Sequence, residues 1–276
     1  MGRRWCRASS QRILVTGAGG GIGTLLRSRL RRPHRILRLL DSTELPTPAP
    51  EERVEIVTGS LTDADTMAAA CRDVDAIIHL GGISREDSWE RVLAVNVDGT
   101  HTVLEAARQA GISRIVLASS NHAVGYRVVG EAGPDGIAGE APPRPDTYYG
   151  FSKAAVEALG SLYHSRFGMD VLCIRIGSCF ERPHDVRGLS LWLSPDDCAR
   201  LFEACLSANS PGFRVLWGVS KNSRAVVSLR EAEELGYRSL DDAEKFAPEI
   251  LSAGATAPKH IGGAFLETPL GIQNPL

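Results

Sequence analysis

The sequence predicts an α/β fold in which helices cover both faces of a doubly wound parallel sheet. Short apolar runs alternate along the chain with longer segments of helical period, which is the pattern of successive βαβ units. Two of these runs, at 76–80 and 171–176, are apolar almost throughout, as expected of strands buried on both faces. The 276 residues show no internal repeat and no evident linker, so we expect one domain.

Six apolar runs predict the first six strands of the sheet, at 12–16, 35–40, 54–57, 76–80, 114–118 and 171–176. A later run at 214–217 is a candidate for a further strand of the same sheet. The intervening segments predict helices at 22–31, 65–71, 89–110 and 147–167. Asp146 is the expected N-cap of the last of these helices, which ends before Gly168. Ser194 followed by Pro195 predicts the start of another helix.

The segments outside this alternating pattern are expected at the surface. Residues 1–11 carry three arginines with no separate apolar stretch after them, and we expect them to form a disordered basic tail. The Pro- and Gly-rich segments 45–52 and 129–145 predict surface loops. Residues 12–276 then form the single domain, in which 182–276 contribute a small substrate lobe over the carboxyl edge of the sheet, where α/β proteins bind ligands.

The composition does not indicate a membrane, nucleic-acid or metal-binding protein. A formal net charge of −2 gives no long-range attraction to nucleic acid or anionic lipid. No segment approaches the ~20 apolar residues that are needed to cross a membrane. The six cysteines form neither a CxxC pair nor a Cys/His cluster, which is typical of buried thiols in a reducing compartment. We therefore expect a cytoplasmic protein that needs no metal and no disulfide.

A glycine-rich turn follows the first predicted strand and predicts a dinucleotide site. Gly17, Gly20 and Gly23 have the spacing GxxGxxG, which allows a tight turn, close approach of a pyrophosphate and packing of helix on strand. The N-terminus of the following helix would offer free N–H groups to the phosphates. Asp41 ends the second predicted strand, where a carboxylate binds the adenosine ribose and repels a 2′-phosphate. A Rossmann fold that binds NAD is favoured, although each feature alone also fits an ordinary turn.

Tyr149 and Lys153 lie four residues apart at the start of a predicted helix, so they share one helix face. The ammonium of Lys153 is expected to lower the pKa of the phenol, which could then take a proton from a substrate hydroxyl. The polar stretch 119–122 follows the fifth strand at the same edge, where the hydroxyl of Ser120 could bind the reacting oxygen. Taken alone, the YxxxK spacing also fits a solvated helix face, and the polar stretch also fits a simple turn.

The combination of these motifs resembles the extended short-chain dehydrogenase/reductase superfamily, which includes the NAD-dependent epimerases and dehydratases, over residues 13–208. The stretches 79–84 (HLGGIS), 118–122 (ASSNH) and 175–179 (RIGSC) resemble its uronate dehydrogenase branch, and residues 262–265 are also similar. The resemblance implies a protein that oxidises C1 of a free hexuronate, D-glucuronate or D-galacturonate, to an aldarolactone with NAD.

The resemblance also implies roles for individual residues. Tyr149 would be the general base, Lys153 its partner and a contact to the nicotinamide ribose, and Ser120 the hydroxyl that binds the reacting oxygen. Arg187 would hold the C6 carboxylate, for which a planar guanidinium is well suited, although an ordinary surface arginine fits the sequence as well. Contacts to NAD are implied for Gly17, Gly20, Gly21, Ile22, Gly23, Asp41, Ser60, Leu61, Leu80, Gly81, Asn96, Tyr149 and Lys153. Contacts to the sugar are implied for Ser84, Ser120, Asn121, His122, Tyr149, Ser178 and Arg187.

Three departures from the family pattern leave alternatives open. Ser60 stands where the family usually has an acid, the segment 129–145 is longer, and 221–227 replaces a Trp-rich segment. A nucleotide-sugar epimerase or dehydratase and a non-catalytic NAD(H)-binding module therefore remain alternative functions. By analogy, a homo-oligomer could form through the two long helices, 89–110 and 147–167, because superfamily members often pair through these elements.

Overall fold

A seven-stranded parallel sheet forms the centre of the protein in a computed structural model, which describes residues 10–252, 254 and 256–273. The sheet strands are β1 (Gln11–Thr16), β2 (Arg35–Asp41), β3 (Val54–Thr58), β4 (Ala76–His79), β5 (Arg114–Ser120), β6 (Asp170–Ile176) and β9 (Phe213–Gly218). Their order in the sheet is β3-β2-β1-β4-β5-β6-β9. Two short strands, β7 (Ser178–Cys179) and β8 (Trp192–Leu193), pair in parallel outside this sheet. The predicted doubly wound fold is confirmed, and the run at 214–217 is its seventh strand.

Helices cover both faces of the sheet. The described α-helices are α1 (Gly21–Arg29), α2 (Ala64–Ala70), α3 (Trp89–Val92), α4 (Gly99–Gln109), α5 (Tyr148–Phe167), α6 (Gly188–Leu191), α7 (Pro195–Ser207), α8 (Arg230–Glu234) and α9 (Ala247–Ser252). Neighbouring residues of a strand face opposite sides, so Ile13 joins the apolar layer under α1 and α7, and Leu14 joins the layer under α2, α4 and α5. None of the described helices has the length and apolar character needed to span a bilayer.

One predicted helix is confirmed and one predicted cap was wrong. The predicted helix 89–110 is helical from Trp89 to Gln109, and its middle part, Leu93–Asp98, winds as a π-helix between α3 and α4, a local change that apolar spacing does not distinguish. The N-cap of α5 is Thr147, whose Oγ1 accepts a hydrogen bond from the N–H of Gly150 at 3.0 Å. The expected cap, Asp146, instead binds His122. The predicted cap Ser194 is confirmed, since its hydroxyl accepts from the N–H of Asp197 at 2.9 Å.

The predicted tail and one predicted loop also differ from the structure. Gln11 already pairs with Arg35 in the sheet, so the tail prediction is too long at that end, and residues 1–9 lie outside the described residues. The segment 129–145 is not wholly a surface loop, because Ile137 is buried and forms a bridge to Val227 within a small apolar cluster. The lobe predicted for 182–276 remains a prediction, and α7 and β9 from that range belong to the main sheet layers.

Candidate functional site

The glycine-rich turn between β1 and α1 is closely packed. Gly17 has φ +68°, and a Cβ there would lie 2.6 Å from the backbone nitrogen of Gly81, in the loop after the neighbouring strand β4. A Cβ at Gly23 would lie 2.5 Å from the carbonyl oxygen of Gly17, so helix α1 can approach the strand only with glycine at this position. The N-cap of α1, Gly20, gives no side-chain hydrogen bond, and the first turn carries no acid. The first N–H groups of α1 are therefore not capped by a side chain.

Asp41 lies beside this turn at the carboxyl end of β2. Its Oδ2 accepts a hydrogen bond from the N–H of Gly19 at 2.8 Å, and its Oδ1 accepts from the hydroxyl of Thr43 at 2.9 Å. Partial burial raises the pKa of Asp41, but the hydrogen bonds from Thr43 and Gly19 outweigh burial and leave that pKa lowered. The carboxylate is thus ionised next to the glycine turn, as the cofactor prediction requires.

The turn after β3 contributes an apolar contact and a local polar one. The side chain of Leu61 packs against Gly81 and Gly99, and a Cβ at Gly81 would come within 2.5 Å of Leu61 Cδ2. The hydroxyl of Ser60 hydrogen-bonds that of Thr62 at 2.7 Å. Leu61 therefore shapes the floor beside Gly81, whereas Ser60 is engaged within its own turn.

A continuous hydrogen-bond chain connects the glycine turn to the π-helix. The hydroxyl of Thr100 donates to the carbonyl oxygen of Asn96 at 2.6 Å and lies 3.0 Å from His79 Nε2. On its other side, His79 Nδ1 lies 2.6 Å from the hydroxyl of Thr16, which also accepts from the N–H of Gly81. Burial, with a smaller effect of the nearby Lys153 charge, lowers the pKa of His79 to about 3. His79 is therefore neutral, and the chain assigns its proton to Nε2.

The Asn96 side chain is fully used in holding neighbouring elements. Its Oδ1 accepts from the N–H of Ile83 at 2.7 Å, and its Nδ2 donates to the Ile83 carbonyl and to the hydroxyl of Ser152 at 2.9 Å. That hydroxyl donates in turn to the carbonyl oxygen of Tyr149 at 2.7 Å. Asn96 thus ties the loop after β4 to the first turn of α5.

Tyr149 and Lys153 share the buried face of α5. The Lys153 ammonium lies 5.7 Å from the centre of the Tyr149 ring and donates to the carbonyl oxygen of Ala118 at 2.8 Å. Burial raises the pKa of Tyr149 to about 12, although a hydrogen bond with Ser120 lowers it, so the expected lowering by Lys153 is not the dominant effect. Burial also lowers the pKa of Lys153 to about 8, against the opposing charge of Glu157.

The polar stretch at the end of β5 divides between two networks. Ser119 donates to Glu157 Oε1 at 2.6 Å, and Glu157 forms a buried two-point ion pair with Arg175. Ser120 accepts from the N–H of His122 at 3.2 Å and is the serine next to Tyr149. The sequence did not reveal Glu157 and Arg175 as a pair, because they lie on different elements.

Arg187 faces Asn121 and Ser178. With the Asn121 amide oriented to satisfy its neighbours, Oδ1 accepts from Arg187 Nη1 at 3.2 Å and Nδ2 donates to the Ile176 carbonyl at 3.1 Å. Arg187 Nη2 lies 3.4 Å from the hydroxyl of Ser178, and Nη1 lies 3.4 Å from the carbonyl oxygen of Ile261. Among the described residues, no carboxylate forms an ion pair with this guanidinium. Burial lowers its pKa, and Asp185 and Asp146 oppose that effect.

Comparison with known proteins agrees with this arrangement. The sequence model of the NAD dependent epimerase/dehydratase family matches residues 13–185. The chain belongs to this family. It is 40% identical to the uronate dehydrogenase of Pseudomonas putida over 260 residues, which are 92% of this chain and 95% of that protein. It is 35% identical to the NAD-dependent glucose-6-phosphate dehydrogenase of Haloferax volcanii over 255 residues, 87% of this chain and 97% of that one.

The backbone of this chain is closely similar to that of a solved protein structure. It is a tyrosine-to-alanine mutant of uronate dehydrogenase from Agrobacterium tumefaciens complexed with NAD. The TM-score is 0.88 at 36% identity, with coverage of 96% of this chain and 100% of that one. These comparisons confirm the predicted family and its uronate dehydrogenase branch.

Two groups to which the sequence analysis gave no role complete the site in this chain. Phe265 stacks on the His122 ring with centroids 4.0 Å apart, and Tyr149 meets the same ring edge-on at 5.8 Å. Glu86 is buried and accepts hydrogen bonds from the N–H groups of Tyr149 at 2.9 Å and Gly271 at 2.8 Å. The similarity of residues 262–265 was a signal for Phe265, whereas nothing local in the sequence indicated Glu86.

Ser84 is the one predicted sugar contact that the described structure leaves exposed. It lies in the loop after β4, two residues before Glu86, and within the described part of the chain it forms no hydrogen bond with the other predicted sugar contacts. The remaining predicted residues of this group are buried or half-buried: Ser120, Asn121, His122, Tyr149, Ser178 and Arg187.

Proposed function

We propose that this protein oxidises C1 of a free hexuronate, D-glucuronate or D-galacturonate, to the aldarolactone with NAD as the hydride acceptor. The observation that carries the proposal is the half-buried guanidinium of Arg187, which has no carboxylate partner among the described residues and belongs to the same wall as Asn121 and Ser178. A half-buried cation with no carboxylate in direct contact is stabilised by an anionic ligand, and a carboxylate matches its planar donors. The uronate dehydrogenase relatives support the choice of anion.

The cofactor side fits NAD. The uncapped N–H groups of α1 follow the glycine turn, in which a Cβ at Gly17 or Gly23 would fill space that the backbone occupies. The ionised Asp41 beside Gly19 would accept from ribose hydroxyls and disfavour a 2′-phosphate. We assign Gly20, Gly21, Ile22, Leu61, Leu80, Gly81 and Asn96 to the walls of this side; Ser60 would contribute only through its exposed turn.

A bound NAD would supply the acceptor for the hydride that leaves C1 of the sugar with the electron pair of the C–H bond. Tyr149 takes the O1 proton as the C1=O bond of the lactone forms, and the adjacent Ser120 holds O1. Because burial raises the pKa of Tyr149 to about 12, the phenol must lose its proton before it can act as the base. The charge of Lys153 favours the phenolate, so Lys153 must stay protonated in the active state.

The direct test is NADH formation by the purified protein with NAD and D-glucuronate or D-galacturonate. Two further sugars serve as control substrates. D-glucose lacks the carboxylate, and D-glucose 6-phosphate carries a phosphate group in its place. The second is included because the Haloferax volcanii relative is a glucose-6-phosphate dehydrogenase. We expect NADH only with the uronates, and a lower rate with NADP. Turnover of D-glucose at the same rate would contradict the proposed recognition of the carboxylate. Absence of NADH formation with both uronates would overturn the proposed function.

A matched pair of arginine variants tests the carboxylate contact. Loss of one partner of a buried charged pair costs about 2–5 kcal/mol, so Arg187→Ala should lower kcat/KM for the uronates roughly 30- to 5,000-fold. NAD affinity should not change. Arg182→Ala is the control, because Arg182 is exposed and pairs with Glu249 on the surface. Full activity of Arg187→Ala would remove Arg187 from the site.

We also propose that two copies of the chain associate through the outer faces of α3 and α5. The exposed apolar side chains there support this, since Trp89 is 39%, Phe151 40% and Leu162 51% exposed. Light scattering of the Leu162→Glu variant should show a smaller species than the parent protein. An unchanged mass would contradict this interface.

A cytoplasmic location is part of the proposal. The described cysteines are free and buried, which fits a reducing compartment. Fractionation of the source cells with antibody detection would test it, and recovery outside the cytoplasm would overturn it.

A further inference from the structure

One carboxylate in the site has no role in the proposed reaction and no place in the family motifs. Asp146 Oδ2 lies 2.7 Å from His122 Nδ1, and Asp146 Oδ1 accepts from the hydroxyl of Thr147 at 3.0 Å. The Asp146 side chain is 0% exposed. Its hydrogen bonds are therefore directed at His122 and at Thr147, the N-cap of α5.

Three glycines surround this carboxylate. A Cβ at Gly125 or at Gly262 would overlap Asp146 Oδ2, and a Cβ at Gly150 would lie 2.8 Å from Oδ1. The glycines come from three separate segments: the turn after β5, the first turn of α5 and the C-terminal part of the chain. Space for the Asp146 carboxylate thus depends on the absence of three side chains, which is more than a surface cap requires.

The His122 ring is fixed in its plane as well as at Nδ1. Phe265 stacks on one side of it at 4.0 Å, and Tyr149 meets it edge-on at 5.8 Å. Among the residues that the structure describes, the charged or titratable groups that face the ring are Asp146, Arg187 and Tyr149. Burial lowers the pKa of His122 and outweighs the opposing effect of Asp146, while Arg187 adds to the lowering. The imidazole is accordingly neutral at neutral pH.

A neutral imidazole carries one proton, and its position follows from the Asp146 contact. A distance of 2.7 Å between Nδ1 and a carboxylate oxygen requires a proton between them, since two lone pairs would repel. Placing that proton on Nδ1 leaves Nε2, on the other side of the ring, as an acceptor only. Nε2 makes no hydrogen bond to another described residue.

We propose that Asp146 is a positioning residue that holds His122 in the Nδ1–H tautomer, so that Nε2 accepts a hydrogen bond from a hydroxyl of the sugar. The sugar part of this inference rests on the proposed function. Asp146 itself touches neither the sugar nor the reacting atoms, and it selects a ligand hydroxyl that donates to His122 over a group that only accepts.

The first test is the tautomer of His122 in the wild-type protein, by long-range ¹H–¹⁵N correlation at neutral pH. The His122→Asn variant identifies the His122 signals by their loss. We expect a protonated Nδ1 and a bare Nε2. An Nε2–H tautomer or a doubly protonated ring would overturn the proposal, and this outcome does not depend on activity or on a variant of Asp146.

The second test is a double-mutant cycle on kcat/KM with D-glucuronate. Asp146→Asn keeps the size of the side chain but can present an N–H to Nδ1, so the tautomer should become mixed and kcat/KM should fall about 10- to 100-fold. NAD affinity should stay unchanged. If Asp146 acts through His122, the Asp146→Asn, His122→Asn double variant is no worse than His122→Asn alone.

The control variant removes a comparable structural aspartate away from the site. Asp170 binds Arg114 at 2.9 Å and the N–H of Gly212 at 3.0 Å at the start of β6, the opposite end of the strand from the site. Asp170→Asn should lower stability without changing the His122 tautomer or KM. Additive losses in the cycle would show that Asp146 is structural and overturn the proposal. If the wild type oxidises no hexuronate, the proposed function fails while the tautomer measurement still decides the His122–Asp146 pair.

Discussion

Glu86→Gln should destabilise the protein by an amount that follows from two hydrogen bonds. The Glu86 side chain has an exposed fraction of 0%, and its two carboxylate oxygens accept from different donors, the N–H of Tyr149 at 2.9 Å and the N–H of Gly271 at 2.8 Å. Glutamine has the same shape but only one oxygen, so one N–H would face an NH₂ group.

A buried donor without an acceptor costs about 1–3 kcal/mol, and this is the loss expected for Glu86→Gln. Glu86→Ala removes both acceptors, so its free energy of unfolding should fall by about 2–6 kcal/mol. Losses of that size are a large fraction of the ~5–15 kcal/mol that stabilises a typical protein. Urea unfolding of both variants would measure them, with Glu90→Gln as the exposed control on the neighbouring helix α3.

Activity should respond as well, because Glu86 holds the first turn of the helix that carries Tyr149. We expect kcat/KM for the uronate to fall in Glu86→Gln with little change in NAD affinity, and amide exchange of Gly271 to accelerate. If the free energies of unfolding of Glu86→Gln and of the parent protein differ by less than about 0.5 kcal/mol, the two hydrogen bonds do not contribute as argued.

Three further substitutions test other parts of the site. Asp41→Asn should weaken NAD binding about tenfold, because the charged acceptor is lost, and raise relative affinity for NADP; an unchanged ratio of dissociation constants in calorimetry would contradict the ribose assignment. His79 has a pKa of about 3 in the folded protein, below its ordinary value, so the unfolded chain binds the extra proton first as the pH falls. The free energy of unfolding should therefore decrease below about pH 6.5, by up to about 1.4 kcal/mol per pH unit. In His79→Gln the urea midpoint should depend less on pH over that range, and an equal pH dependence in the variant and the parent would show that His79 is not its cause. Gly263→Ala should raise KM for the uronate, because φ is +57° there and a Cβ would lie 2.7 Å from Arg187 Cδ. Gly236→Ala is the control, since Gly236 also has a positive φ (+95°) but has open space around it, and it should leave KM unchanged.

The parts of the fold and site that the sequence predicts correctly are local in the chain. Strands β4 and β6 are apolar almost throughout, and the positions of Tyr149 and Lys153 on one helix face follow from a spacing of four residues. The glycine turn and Asp41 follow strands whose carboxyl ends must meet at one edge of a parallel sheet. No knowledge of tertiary contacts is needed for any of these inferences.

The groups that were missed depend on contacts between distant segments. Glu86 lies 63 residues from Tyr149 and 185 from Gly271, and no periodic pattern encodes such pairings. Asp146 has the sequence context of a helix cap, and only its position beside His122 shows otherwise. The direction of the pKa shift at Tyr149 was wrong for a related reason, since burial depends on the whole fold and outweighs one nearby charge.

The C-terminal segment, residues 261–271, makes several of the contacts that the sequence did not predict, and these contacts concern only one side of the site. The carbonyl oxygen of Ile261 meets Arg187, Phe265 stacks on His122, and the N–H of Gly271 shares Glu86 with the N–H of Tyr149. All three contacts lie on the side proposed for the sugar. The glycine turn and Asp41, by contrast, are held by residues of the first hundred positions. Because different segments fix the two sides, changes in the C-terminal segment should alter which sugar acid is bound while the affinity for NAD stays the same.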